Sequence, residues 1–248
     1  MIGLKKRLDQ EVSKRNSSEE LSEDRLDPIM VAREYKDEYI SLICALFAYG
    51  NAKQIVKFLR SLDFSLLDAS DEVIKKELAS HYYRFQTPSD VIELFLVLKK
   101  FKQEHSIEEL FYSEYKKENN VIEGVNKVIN TINTYSSLST HGFNFLVGSE
   151  VKKYKGSSAL KRWMMYLRWM VRKDEIDFGL WSKVDKKDLI LPLDTHTFKV
   201  SQKLGLLDRK SYDMYSAMLI TEKLREFDIA DPIKYDFALY RLGQEKII

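Results

Sequence analysis

A single cysteine, four prolines and nine glycines are all that this 248-residue chain contains of those three types. One thiol, Cys44, excludes an internal disulfide framework. It equally excludes a cysteine-ligated iron–sulfur cluster or zinc ribbon. Cys44 lies in the apolar run "ISLICALFAYG", the setting of a buried, inert thiol. Few Pro and Gly, with sparse turn clusters, favour long helices over many short strands. No apolar run approaches the ~20 residues of a membrane-spanning helix. The opening stretch "MIGLKKRLDQEVSKRNSSEELSEDRL" has no apolar core of the signal-peptide kind. The expectation is therefore a cytoplasmic protein with no membrane partner. His81, His105, His141 and His196 are scattered without ligand spacing, so no metal and no cofactor are expected.

The chain does have enough apolar residues for a substantial core: 44% are hydrophobic and 31% charged, a soluble globular balance. Residues 1–27 read as a charged helix and polar link. An apolar helix begins near residue 37, breaks at Gly50-Asn51 and resumes to about residue 60. Helical spacing recurs in 71–80, 89–104, 107–118 and 121–134, with 136–142 as a loop. It returns in 158–173, where Leu160, Trp163, Met164, Leu167, Met170 and Val171 form one stripe and Trp169 falls off it. Residues 174–193 are irregular. A helix from Thr195 ends at Gly205, a further one covers "SYDMYSAMLITEKLREF", and a last one runs to Gly243 with Asp231 as cap and Pro232 at its first position. No strand pattern stands out, and the fold class is all-α.

Net charge is only +2, but its distribution is uneven. From Val151 to Lys173 there are eight basic residues and no acid: Lys152, Lys153, Lys155, Lys161, Arg162, Arg168, Arg172 and Lys173. Such a tract suits a polyanion, most simply a phosphate backbone. A helix face balanced by acids elsewhere in the fold is the competing reading.

Asp194 begins the segment "DTHTFKVSQKLGL" and is placed to accept backbone N–H bonds as a helix N-cap. A carboxylate held in this way is also fixed in direction, which suits a group that takes a proton or stabilises positive charge. Lys161 stands at the start of the preceding long helix. Positive charge is disfavoured at that end, and a neutral amine is a nucleophile able to form a Schiff base. The plainer alternatives are a cap for Asp194 and a solvated or phosphate-contacting lysine for Lys161.

The order of a Gly-Ser turn ("KYKGSSALK"), a lysine, a helix, an irregular link and then "PLDTHTFKVSQKLGL" resembles the helix-hairpin-helix (HhH-GPD) DNA glycosylase superfamily. More of the chain resembles one bacterial branch, DUF2400, through "AYGN", "YRF", "LRWMVRKDEIDFGLW", "PLDTHT" and "DPIKYDFALYRLG". The resemblance implies a two-lobed helical bundle of the glycosylase type, with a hairpin and following helix in 150–173. It implies that Lys161 is the nucleophile and Asp194 the catalytic aspartate. Lys152, Lys153, Lys155, Gly156, Ser157, Ser158, Arg162 and His196 become candidate DNA contacts, with a structural hydrogen bond as the alternative for His196. Asn51 or Gln54 would lie near the wedge that fills the gap left by an extruded nucleotide.

Two departures stand out. The usual Gly-rich hairpin has one glycine here, and Lys161 and Asp194 are 33 positions apart, longer than in compact members. The extra length falls in 174–193, where Asp177, Phe178 and Trp181 are candidates for a base pocket; a structured loop packed on the core is the alternative. The function implied is a monomeric base-excision glycosylase with AP-lyase activity. It would act on double-stranded DNA holding a damaged base, an oxidised purine such as 8-oxoguanine by analogy with the cluster-free members. It would be nucleoid-associated when bound. Two other readings stay open: a non-catalytic DNA-binding protein of the same fold, and an all-α interaction scaffold.

Overall fold

The computed structural model describes residues 2–245. Among them are thirteen α-helices and no strand, only two isolated bridges. No described helix is long and apolar enough to cross a membrane. The chain divides into two compact units, one built from Met1–Arg25 with Val151–Ile248 and one from Leu26–Glu150. The first helix, α1 (Ile2–Arg15), belongs to the discontinuous unit.

The contiguous unit contains α2 (Ile29–Tyr35), α3 (Glu38–Leu46), α4 (Ala52–Ser61), α5 (Asp71–Glu77), α6 (Pro88–Glu104), α7 (Ile107–Glu118), α8 (Val121–Tyr135) and α9 (His141–Val147). Local chemistry explains most of the starts. Asp37, Asn51, Ser70, Ser106, Asn120 and Thr140 each accept a first-turn N–H as N-cap. Thr87 and Asp90 form a reciprocal capping box ahead of Pro88. Val91, Leu94, Phe95, Leu98 and Phe101 then bury one face of α6. Gly124 lets α8 approach α7 closely, since a Cβ there would lie 2.6 Å from the Phe111 ring. Thr140 capping α9 shortens the loop expected over 136–142, and α2 and α9 are additions to the helices expected from periodicity.

The discontinuous unit is completed by α10 (Lys161–Val171), α11 (Thr195–Lys203), α12 (Met214–Arg225) and α13 (Asp236–Gln244). Helix α10 is buried on most sides, Trp163 to Met170 without a gap. Trp169 is fully buried, so the position off the sequence stripe is core and not an exposed interface. Helices α11 and α13 pack closely, because a Cβ on Gly243 would sit 2.9 Å from Val200 and 3.0 Å from His196. Helix α1 is tied to the other end of the chain. Leu8 is fully buried, the Tyr235 hydroxyl donates to Asp9 at 2.8 Å, and Arg15 donates to both Glu245 oxygens at 3.0 and 2.7 Å.

One expected cap is absent. Residues Pro232–Tyr235 form a 3-10 turn, α13 begins only at Asp236, and Asp231 makes no side-chain cap bond. Its carboxylate instead receives Nε and Nη2 of Arg172 at 2.9 and 3.1 Å. A nearly buried guanidinium needs a counter-charge more than the helix start needs a cap.

Candidate functional site

Asp194 is the N-cap of α11. Its Oδ1 accepts the Thr197 N–H at 2.8 Å, and its own carbonyl accepts the Phe198 N–H at 2.8 Å. The half-buried carboxylate is thus fixed in direction with one oxygen engaged. Lys161 is the first residue of α10, half-buried, with Nζ donating to the Met165 thioether at 3.3 Å. Leu160 just before it has φ +44°, a left-handed conformation that costs a non-glycine residue roughly 1–2 kcal/mol. Ser158 supports that turn by accepting the Leu160 N–H on its hydroxyl at 3.2 Å.

Asp236, which did not stand out in the sequence, links the two. Burial pushes its carboxyl up; Arg168 and Lys161 pull it down, while the charge on Asp194 pushes it up again. Both charges therefore bear on one buried carboxylate at the start of α13. Asp236 is fixed there by a short charge-assisted bond from Arg168 Nη1. Arg168 lies seven residues after Lys161, two turns along the same side of α10.

The basic tract splits in two. Arg168 and Arg172 are 5% and 7% exposed and are spent internally. Arg168 pairs with Asp177 and Asp236, and Arg172 with Asp174, Asp177 and Asp231. These two are structural ion pairs, not DNA contacts. Lys152, Lys153, Lys155 and Lys173 are exposed, and Arg162 is half-buried.

The segment carrying Lys152, Lys153 and Lys155 is an irregular loop that contains Gly156 at φ +78°. At its glycine the backbone N–H is not open to a phosphate. The Gly156 N–H already donates to Asp213 Oδ2 at 3.0 Å. The loop is pinned further by Met214 N–H to the Ser157 carbonyl and Tyr215 N–H to the Tyr154 carbonyl, at 3.0 and 3.1 Å. Asp213 also receives both Arg209 nitrogens at 2.8 and 3.1 Å, and that bond holds its carboxyl well below the usual range. Lys155 Nζ and the Arg209 guanidinium each lie about 5 Å from the Tyr215 ring centre, within cation–π range. What this loop offers an anion is lysine side chains, with Ser158 exposed beside them.

Of the base-pocket candidates, Asp177 and Trp181 are packed into the core and Phe178 is half-buried. Residues 172–181 fold back onto the end of α10: Gly179 N–H bonds the Trp169 carbonyl at 3.0 Å and Trp181 N–H the Met170 carbonyl at 2.8 Å. These satisfy carbonyls that the last helical turn leaves without partners. Asp177 is 1% exposed, clamped by Arg168 Nε at 3.1 Å and by Arg172. Trp181 is buried edge-on against Tyr166 at 5.5 Å. Phe178 is half-buried and bridges Lys173 through the backbone. The cavity beside Asp177 is about 20 Å³, room for one water and far too small for a nucleobase.

His196 is exposed, with its ring edge-on to Tyr240 at 6.3 Å. In the contiguous unit, Asn51 caps α4 by accepting the Lys53 and Gln54 N–H groups at 3.0 and 3.3 Å; both Asn51 and Gln54 are exposed. Beside them lies a surface the sequence reading missed. Arg84 (φ +57°) and Phe85 form the tip of a two-residue turn closed by mutual Tyr83–Gln86 backbone bonds. Phe85 and Phe145 stay partly exposed, each within 6 Å of Tyr49, and Arg84 lies over the Tyr49 ring. The signal was "YRF" followed 58 residues later by "HGFNF", too far apart to pair by inspection. Among the described residues no group of three or more His, Cys, Asp or Glu side chains is arranged to hold a metal ion.

This all-helical architecture, with Asp194, "DPIKYDFALYRLG" and "AYGN" built into it, falls within a single family. The chain belongs to DUF2400, described as "Protein of unknown function (DUF2400)", whose model matches residues 27–245. No curated protein and no solved structure matches it significantly.

Proposed function

We propose that this protein is a DNA glycosylase with AP-lyase activity, of the helix-hairpin-helix kind, acting on a damaged base. Two observations support the reading: Lys161 opens α10 with a half-buried side chain, and Asp194 is a half-buried carboxylate fixed in direction as the cap of α11. The first is an amine at a helix start and the second a carboxylate at the start of the next helix, and the charge of each acts on the buried Asp236 carboxyl. In the proposed reaction the neutral Lys161 amine attacks C1′ of an extruded nucleotide. A C1′–N bond to lysine forms as the glycosidic bond breaks, and the base departs with the bonding electrons and takes up a proton. Asp194 stabilises the positive charge that develops on the sugar and accepts a proton from the amine. Ring opening gives the Schiff base, from which loss of a C2′ proton expels the 3′ phosphate. Lys152, Lys153 and Lys155 supply phosphate contacts as point charges. Asn51, Gln54 and the Arg84–Phe85 turn supply polar and stacking contacts to DNA.

The lesion class proposed first is an oxidised purine such as 8-oxoguanine. The test is borohydride trapping on a panel of single-lesion duplexes. The expected result is a covalent protein–DNA adduct on at least one lesion, abolished by Lys161→Ala. A wild-type protein that binds DNA but traps on none leaves the non-catalytic DNA-binding reading in its place. Absence of any salt-dependent DNA affinity leaves the interaction scaffold.

A further inference from the structure

Tyr212 is 46% exposed, yet it is not a loose surface ring. Its hydroxyl donates to the Leu193 carbonyl at 2.6 Å, the residue just before Asp194. Phe198, one turn into α11 from Asp194, meets the Tyr212 ring edge-on at 5.6 Å and 85°. Two anchors therefore hold a large apolar face open to solvent beside the Asp194 carboxylate. Leaving an aromatic exposed while fixing its orientation has no packing benefit, and a rigid ring next to a polar group is the usual construction of a stacking platform.

The neighbours indicate what stacks there. Tyr212 belongs to the short segment 209–215 that also pins the lysine loop, through Asp213 to Gly156, Met214 to Ser157 and Tyr215 to Tyr154. One seven-residue stretch thus joins the Asp194 cap to the surface carrying Lys152, Lys153 and Lys155. A ligand that spans both has a planar apolar part and an anionic part. The phenol supports this use: burial, with the charge of Asp194 added, pushes it up to about 12. It remains neutral and committed as a donor, so the ring face is what a ligand meets.

We infer that Tyr212, braced by Phe198, is a stacking seat for an unpaired nucleobase of a bound DNA strand. This rests on the nucleic-acid reading of Lys161 and Asp194 and adds to it a residue that holds the base itself.

The test compares two duplexes, one with a single bulged guanine and one with a tetrahydrofuran abasic analogue at that position. Stacking of one base is worth about 1–3 kcal/mol, or roughly 5–150-fold in affinity. Tyr212→Ala is expected to lose affinity in that range for the bulged-guanine duplex and none for the tetrahydrofuran duplex. Tyr212→Phe, which keeps the ring, is expected to stay within about threefold of wild type, a small fraction of that stacking effect. A second measurement uses Tyr212→Trp. The three native tryptophans are at most 6% exposed and shielded from contact with a bound base, so a fall in emission that Tyr212→Trp shows and wild type does not is expected on binding the bulged guanine. The inference is overturned if Tyr212→Ala affects both duplexes equally, if Tyr212→Phe is as weak as Tyr212→Ala, or if the indole emission does not change. If the wild type traps on a lesion duplex while Tyr212→Ala binds normally, only the stacking seat falls. If the wild type binds neither duplex, the nucleic-acid reading falls with it.

Discussion

Asp177→Asn separates a clamp from a base-reading residue. The carboxylate is buried and is held by Arg168 Nε at 3.1 Å and by Arg172. Asparagine keeps the volume but removes the charge, and it turns an NH2 group toward one of the two guanidiniums. Arg168 retains Asp236, and Arg172 retains Asp231 and Asp174, so the network is weakened and not abolished. Removing one partner of a buried pair costs about 3–5 kcal/mol. At roughly 2–4 °C per kcal/mol for a chain of this size, the melting temperature should fall by about 6–20 °C. The loss should appear by calorimetry in the transition of the discontinuous unit. Limited proteolysis should cut within 174–193, because the turn that covers the end of α10 is released. A variant that melts within about 2 °C of wild type but changes its lesion preference refutes the clamp and restores the pocket.

Capping and chemistry at Asp194 are separable in the same spirit. Asparagine caps a helix about as well as aspartate, so Asp194→Asn should change stability by only a few tenths of a kcal/mol, while Asp194→Ala should cost about 1 kcal/mol. Under the proposed function both should slow adduct formation by about 100-fold or more; full trapping by Asp194→Asn leaves Asp194 a cap and nothing else. Asp213 gives a pH signature. Its folded pKa is depressed below the ordinary 3.8 by Arg209 and then by backbone N–H groups, so its contribution is complete above that value and is lost as pH falls through the folded one. Urea unfolding should show Asp213→Asn less stable than wild type near neutral pH by about 1.5–3 kcal/mol, with the gap narrowing from about pH 5 to about pH 2; a pH-independent gap would falsify the assignment.

Much of this fold is written locally. Periodicity and caps place α6, α7, α8 and α11, and Asp194 reads as an N-cap from its position before "THTFKV". Helices α2 and α9 have only seven residues each, two turns that carry too little periodicity to stand out. Charge partners are the larger gap. Arg168 and Arg172 look like part of a DNA-facing tract because two of their acids are distant in sequence, Asp236 being 68 positions from Arg168 and Asp231 59 from Arg172, while the nearer ones, Asp174 and Asp177, fall in an irregular segment just past the tract. Asp213 and Tyr212 sit in "SYDM", which periodicity counts into the helix although that helix starts only at Met214, and nothing there hints that one residue holds the lysine loop and the other abuts Asp194. Patterns spanning one or two turns are legible; pairings across 60 residues are decided by tertiary packing.

The split of the discontinuous unit has a consequence for how the chain comes to be folded. Helix α1 is made before the other described helices, but the residues that neutralise its buried Arg15 include Glu245, 230 positions later. At about 5–20 residues per second, α1 waits roughly 10–50 s on the ribosome for that partner. Leu26–Glu150 is contiguous and can complete its own core in the meantime. A protein trimmed to the family-matched span, 27–245, would never receive α1 and would leave Glu245 and the face of α13 without it. The helix that the family pattern omits is thus the last one the molecule needs to close.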